Sequence, residues 1–487
     1  MSVLRAKVCV VGSGAGGALV ACRLAQAGHD VVVLEAGEHV PAERMTQREG
    51  EMMRRLYWEA GLRASEDLAI GLLHGKAVGG STVVNYLDCF RTPDRLLDQW
   101  ADRHGLEELR PEKMRPRFER IEEVLHVRKL PVEGLNPNNR KLMIGADKLG
   151  WYGDTFHRNA YNCMGSGFCD LGCSYNAKQS AALTWLPLAE KAGARIYPEC
   201  PVSKVVVEGD RAVAVEGTSR GEPFRVEAEV IVVSCGSIET PHLLLRSGVA
   251  DPSGQLGRNL YLHPGTPVVG HFKGERVANY EGVKQGYFIG EFSWPLREHP
   301  IDALIEGIGA PPGIASTLFW GHGDERKAVF RDLDEFAVAG VLLRDGVPGR
   351  VTAGDGRPQV HWRLDRGDAR RLKEAMAKTA EALFAAGATT VLTAHAPAVI
   401  LRGPGDLARL DAAPFGPNRI GVFSFHQMGT CRMGSSRQRD VIDPTGRMWA
   451  YRNLYVADAS VFPGPSGVNP QITVYGLCDV IADGIRV

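Results

Sequence analysis

The sequence predicts an α/β protein, with a Rossmann-like first domain and a second, substrate-covering domain built on a β-sheet with helices. Three observations carry this reading. A strand, a glycine turn, a helix and a second strand follow one another between residues 7 and 35. Residues 252–415 change character, with short strand-like pieces alternating with Pro/Gly-rich segments. The tail from residue 416 ends in an apolar helix and carries polar residues set singly among apolar ones. The expected division is therefore 1–251 with 416–487, including a helical cover and a cysteine-rich loop over about 100–180, and then 252–415.

Composition excludes several classes. The chain has 487 residues, 44% hydrophobic and 23% charged, with a formal net charge of zero. No basic patch or charge run points to nucleic acid or an anionic membrane. No apolar stretch reaches transmembrane length, and the N-terminal MSVLRAKVCVVG passes directly into a strand, so a cytoplasmic protein is expected. Ten cysteines in a chain of this size do not form a disulfide scaffold.

In chain order, residues 7–11 form a short β-branched run. Gly12-Ser-Gly14-Ala-Gly-Gly17 follows, then ALVACRLAQAGHD at helical spacing, then a second apolar run ending at Glu35. Gly12 permits the tight turn, Gly14 lets backbone approach a pyrophosphate, and Gly17 lets the helix pack on the strand. The helix N-terminus faces the phosphates, and Glu35 accepts from a ribose. A second glycine segment, Gly75-Lys-Ala-Val-Gly-Gly80-Ser81-Thr-Val-Val-Asn85, suits a loop pressed against a cofactor or an ordinary turn. Residues 111–127 and 138–149 read as charged cover helices. Residues 162–178 place Cys163, Cys169 and Cys173 in a glycine-rich loop. Hairpin and strand patterns then lead to a helix in CGSIETPHLLLRSG, with Pro241 expected near its first turn. A long amphipathic helix is expected over 368–386. The last helix is expected to start at Asn469 as N-cap and Pro470 as N1, burying one face through Val474, Leu477, Cys478, Ile481 and Ile485.

With these segments in place, the chain resembles the glucose–methanol–choline (GMC) oxidoreductases, FAD enzymes that oxidise alcohols. The resemblance rests on the N-terminal unit, the Gly75–Asn85 signature, the Gly236–Gly248 signature and the His426/Asn469 region, and so spans nearly the whole length. In motif style it is nearest the cholesterol-oxidase and long-chain-alcohol-oxidase-like branch. It implies FAD held by Gly12, Gly14, Gly17 and Glu35, with the backbone at Val202 meeting the adenine. Gly80, Ser81 and Asn85 would lie along the isoalloxazine, Asp458 would bind the ribityl-phosphate region, and Pro470 and Gln471 would be at the flavin end of the last helix. Some relatives attach FAD through a histidine just before the signature asparagine; that position is Val84 here, so non-covalent binding is expected.

His426 matches the family's base and Asn469 its partner. Histidine suits removal of the hydroxyl proton as hydride leaves for flavin N5, and an amide can orient the alcohol oxygen but cannot act as base. Read from their neighbours alone, His426 fits a satisfied core histidine better than a base, and Asn469 fits a helix cap. The expected substrate is a hydrophobic alcohol, with Phe288, Phe319 and Trp320 as pocket aromatics. The acceptor is oxygen, a quinone or a redox protein, and no nucleic-acid partner is expected. Two other readings stay open. Cys163, Cys169 and Cys173 could ligate an iron–sulfur cluster in a sugar or polyol dehydrogenase, or the fold could serve a hydroxynitrile-lyase-like flavoprotein without net redox chemistry.

Overall fold

The computed structural model describes residues 2–318 and 323–487. Phe319 and Trp320 lie outside the described residues. The first sheet begins with β1 (Ser2–Val11), whose inner residues Val8 to Val11 are buried on both faces, as a parallel strand covered by helices must be. It is followed by α1 (Ala15–Gln26) and β2 (Val31–Leu34). The parallel order is Arg195–Tyr197, β2, β1, Glu222–Val233 and Leu454–Val456. Two antiparallel strands, Arg211–Ser219 and Val202–Glu208, extend it beyond the first half of Glu222–Val233. The tail thus returns to this sheet through Leu454–Val456.

The second sheet runs Ile400–Leu401, Thr390–Thr393, Gly265–His271, Phe336–Leu343, Ala303–Gly307, Tyr287–Ile289 and Gly153–Thr155. It also takes Phe423–Ser424 and Gly71–Leu72, strands from outside 252–415. The helix Arg366–Ala385 covers it through Leu372, Ala375, Met376, Ala380 and Leu383, close to the expected span. Pairing of Gly265 with Phe423 is antiparallel. Residues just before 265 therefore lie beside those just after 423, which sets up the site.

Two expected helix details differ. Pro241 sits inside Gly236–Arg246 rather than in its first turn. The carbonyl of Ser237, deprived of the N–H that residue 241 lacks, accepts from Thr430 Oγ1 at 2.7 Å. The missing bond becomes a tether to the segment after His426. The last helix is Gln471–Gly484, with Pro470 at the cap and no side-chain cap bond, so Asn469 precedes the cap position. Nor is the helix one-faced. Every residue from Ile472 to Ala482 is buried, because the helix is clamped between α1 and the cover helix Pro111–Val124. Its Asp479 pairs with Arg23 of α1 and with Arg117 and Arg120 of that cover helix. Among the described residues no helix is long and apolar enough to cross a membrane.

Candidate active site

The glycine turn between β1 and α1 is defined by what it leaves out. A Cβ on Gly12 would stand 2.2 Å from Ser234 O, and one on Gly17 2.0 Å from Gly12 O. Both glycines are demanded by backbone contact. Gly14 is different: a Cβ there would meet nothing nearer than Gly80 Cα, at 4.0 Å. Gly14 and Gly80 therefore put the two glycine segments back to back with little between them but backbone. The N-terminal end of α1 opens at this point with its free N–H groups, a natural anion cradle.

Ser13 is the residue that sequence reasoning passed over. It is fully buried, and its hydroxyl accepts from Gly79 N at 3.0 Å while donating to Glu35 Oε2 at 2.7 Å. Ser13 N donates to the same oxygen at 3.0 Å, and Gly37 N to Glu35 Oε1 at 2.8 Å. One hydroxyl thus joins the turn, the acid and the second glycine segment. The serine inside the G-x-G was the available signal. Glu35 is buried and its carboxyl is pushed up by that burial; it keeps acceptor capacity for a ribose. Val202 opens an edge strand, next to Cys200, whose N–H bonds Glu35 O at 2.8 Å.

Asp458 is buried and accepts from Gly236 N at 2.9 Å, Ser460 N at 2.7 Å and Thr240 Oγ1 at 2.5 Å. It fixes the start of the helix Gly236–Arg246 against Ala459–Val461 rather than presenting a bare carboxylate. Ser81 Oγ accepts from Gly75 N at 2.9 Å, closing the signature on itself. Asn85 Nδ2 donates to Gln471 Oε1, so the signature and the start of the last helix meet.

The other half of the site consists of unsatisfied polar atoms. His426 Nδ1, His263 Nδ1, Asn85 Oδ1, Asn469 Oδ1, Glu306 Oε1 and Asp88 Oδ1 are all buried without a partner. Each such atom costs about 1–3 kcal/mol unless something satisfies it. His426 is half-buried, and among the described residues no hydrogen bond reaches its ring; the enclosing protein holds its pKa down to about 4. It is therefore an unprotonated base at neutral pH.

His263 was not anticipated, because its place depends on strand pairing. Its ring stands edge-on to His426, with centroids 5.6 Å apart and planes at 89°. Its Nε2 accepts from Gly467 N at 3.0 Å, which puts the proton of the neutral ring on Nδ1. His263 is fully buried at φ +46°, with its own N–H and that of Leu262 held by Asp345. Through Gly467, this histidine connects His426 to the turn that carries Asn469. The Asn469 amide bonds the Glu306 carboxylate, which also accepts from Gln285 Nε2 at 2.7 Å. Burial raises Glu306 to about 7. Phe288 is packed edge-on against Phe90 at 4.9 Å and shares a cluster with Val468, so it supports the Asn469 turn from the core side.

The cysteine loop does not gather as a metal site. Among the described residues no group of three His, Cys, Asp or Glu side chains converges as ligands, which removes support for a cluster on Cys163, Cys169 and Cys173. The loop is fixed by protein contacts instead. Buried Lys178 donates through Nζ to the carbonyls of Val83, Asn85 and Cys169 at 2.8, 2.6 and 2.6 Å. The loop therefore braces the signature segment from behind.

The residues present are compatible with a bound FAD: Gly14 leaves room at the cradle, and Asn85, Asn469 and His426 keep unpartnered polar atoms. The GMC oxidoreductase family matches residues 53–265 and 347–478, and an NAD(P)-binding Rossmann-like domain matches residues 10–54. The chain is 31% identical over 493 residues to long-chain-alcohol oxidase FAO4A of Arabidopsis thaliana, covering 96% of this chain and 66% of that protein. Among solved structures, pyridoxine 4-oxidase from Mesorbium loti superposes with a TM-score of 0.74 at 18% identity, covering 98% of both chains. A formate oxidase of Aspergillus oryzae RIB40 gives 0.76 at 17%, covering 99% of this chain and 98% of that one. An uncharacterized GMC-type oxidoreductase of Mycobacterium tuberculosis (strain ATCC 25618 / H37Rv) is 36% identical over 486 residues, 99% of this chain and 76% of that protein. With both family domains matched and a relative of that identity along nearly the whole length, the chain belongs to the GMC oxidoreductases and is an FAD-dependent oxidoreductase.

Proposed function

We propose that the protein oxidises a hydrophobic alcohol to the aldehyde or ketone, with FAD bound non-covalently. The observation that carries this is an unprotonated histidine, His426, with no protein partner for its ring among the described residues, together with an Asn469 amide oxygen that is also unsatisfied. FAD, when bound, supplies the hydride acceptor. The chain's own residues do the rest. His426 takes the hydroxyl proton as the carbon–hydrogen bond breaks, and Asn469 holds the alcohol oxygen while Glu306, itself held by Gln285, holds the amide. His263 fixes the spacing between the two. Non-covalent binding is supported by Val84 at the attachment position of the covalent relatives. The hydrophobic substrate is supported by the likeness to a long-chain-alcohol oxidase and by 23% identity over 553 residues to a cholesterol oxidase of Acinetobacter baumannii, covering 96% of this chain and 92% of that protein.

The test is anaerobic titration of the flavin absorbance with short aliphatic, long-chain, aromatic and steroid alcohols and with sugars. Bleaching by long-chain or steroid alcohols is expected, and readmitted air then separates an oxygen-using enzyme from one that needs another acceptor. Bleaching by sugars alone would overturn the substrate class. No bleaching by any alcohol, with cleavage of a cyanohydrin, would replace oxidation with the lyase reading.

A further inference from the structure

A cavity of about 630 Å³ lies beside the cysteine loop, and neither His426, Asn469, Asn85 nor Glu306 lines it. Leu130, Leu135, Met164 and Val283 give it apolar walls. Its charged lining is four cations, Arg128, Lys129, Arg158 and Arg276, against the single carboxylate of Glu281. Lys129 is compensated by Asp154 at 2.7 Å and Arg276 by Glu281 at 2.6 Å. Arg128 pairs with no carboxylate among the described residues; its Nη1 donates only to the Val127 carbonyl.

Arg158 is the decisive group. It is 4% exposed, and its Nε is buried without a partner. Its other contacts are the Tyr86 carbonyl at 3.2 Å and the sulfurs of Cys169 and Cys163. Its neighbour Asp88 is itself buried, which holds that carboxyl well above the usual carboxylate range, and among the described residues no ion pair joins it to Arg158. The helix Pro137–Leu149 adds its positive end, because Leu135, Asn136 and Pro137 line the same cavity. An apolar recess with a buried guanidinium whose Nε is unpartnered, and with an unpaired arginine at its edge, is matched by one kind of molecule.

We propose that this cavity binds an aliphatic carboxylate, with its head on Arg158 and Arg128 and its chain against Leu130, Leu135, Met164 and Val283. The site is independent of the alcohol reading, since it shares none of the residues assigned to that chemistry.

Cys163 is exposed and lines the cavity, so it serves as the reporter. The FAD-loaded protein is treated with iodoacetamide at fixed pH, and alkylation of the Cys163 peptide is followed by mass spectrometry. The added probes are dodecanoate, dodecanol and acetate. Dodecanoate is expected to slow alkylation about tenfold at saturation, with dodecanol and acetate far weaker. Arg128→Glu is expected to raise the half-protecting dodecanoate concentration about tenfold, a charge reversal at an exposed residue that leaves the fold intact. Arg158→Met is expected to abolish protection; since that side chain is buried, Arg128→Glu decides the question if the Arg158 variant does not fold. Equal protection by dodecanol, equal protection by acetate, no protection by dodecanoate, or an unchanged half-protecting concentration in Arg128→Glu would each overturn the proposal.

Discussion

The two ends of the site are built on opposite principles. Around Gly12–Gly17 nearly everything is satisfied: Ser13, Glu35, Gly37 and Gly79 bond one another, and the glycines are set by backbone in contact. Around His426 the buried polar atoms are left open, at His426, His263, Asn469 and Glu306. On the proposed function, the first region recognises a cofactor by shape, so it can be complete before anything binds. On the same reading, the second must exchange protons and hold a reacting oxygen, so it has to keep donors and acceptors unspent. Stability and reactivity are thus assigned to different segments of one site.

This contrast can be broken by substitution, most severely at the satisfied end. Gly17→Ala or Gly16→Ala would drive a Cβ to 2.0 Å from Gly12 O or Ala457 O. A loss above about 4 kcal/mol is expected, with no cooperative thermal transition; a normal melt in either variant would refute the backbone-contact account. His426→Ala comes next. Turnover should fall about 10²- to 10⁴-fold while FAD remains bound, as read by rapid-mixing reduction rates against flavin content. Loss of FAD with unchanged turnover per bound flavin would remove His426 from the chemistry.

Gly14→Ala sharpens the comparison, because its Cβ has room. The FAD-free protein should melt within about 0.5 kcal/mol of the parent. FAD affinity should nevertheless drop by about tenfold or more, since backbone must approach the pyrophosphate there. Equal FAD affinity would place the cofactor elsewhere.

The smallest effects concern pH, and the two buried titrating groups have opposite signs. His426 is held at about 4, below the ~6.5 of a free histidine. The unfolded chain therefore takes up that proton first, and this share of stability, present above about 6.5, is lost as pH falls towards 4. Glu306 is raised from 4.5 to about 7. Its contribution is full below the unfolded value and is lost as pH rises through 7, so Glu306→Gln should flatten thermal stability between pH 5 and 8 by about 1 kcal/mol or more. An unchanged profile would mean that Glu306 is solvated in the working enzyme. Catalysis should show its acid limb in kcat/KM near 4 rather than near 6.5.

Much of this was legible in the chain because it is local. The order of strand, glycine turn, helix and acid is encoded in consecutive residues, and the structure keeps it between β1 and β2. His426 and Asn469 stood out through the resemblance, and the structure leaves both with unpartnered atoms. The misjudged features were those set by neighbours distant in sequence. Pro241 was expected near the first turn, yet it is tolerated deeper because Thr430 satisfies the Ser237 carbonyl. The last helix was read as one-faced, but Phe118 and Met114 of the cover helix close over Gly476 and bury the far side. The cysteine spacing was compatible with a cluster or with a structural loop, and only contacts distant in sequence decide it: Lys178 and Arg158 draw the loop against the signature segment.

The sequence by itself determined that this chain builds a dinucleotide-binding α/β unit, because a glycine turn is set within a few residues; His426 and Asn469 were singled out only by the resemblance. Only the tertiary structure decided that Ser13 joins the two glycine segments, that His263 stands against His426, and that Glu306 holds Asn469. Those contacts arise where Gly265 pairs with Phe423 and where separate loops pack at the end of a sheet. Strand pairing is set by burial summed over the whole chain, and no local window of residues contains it.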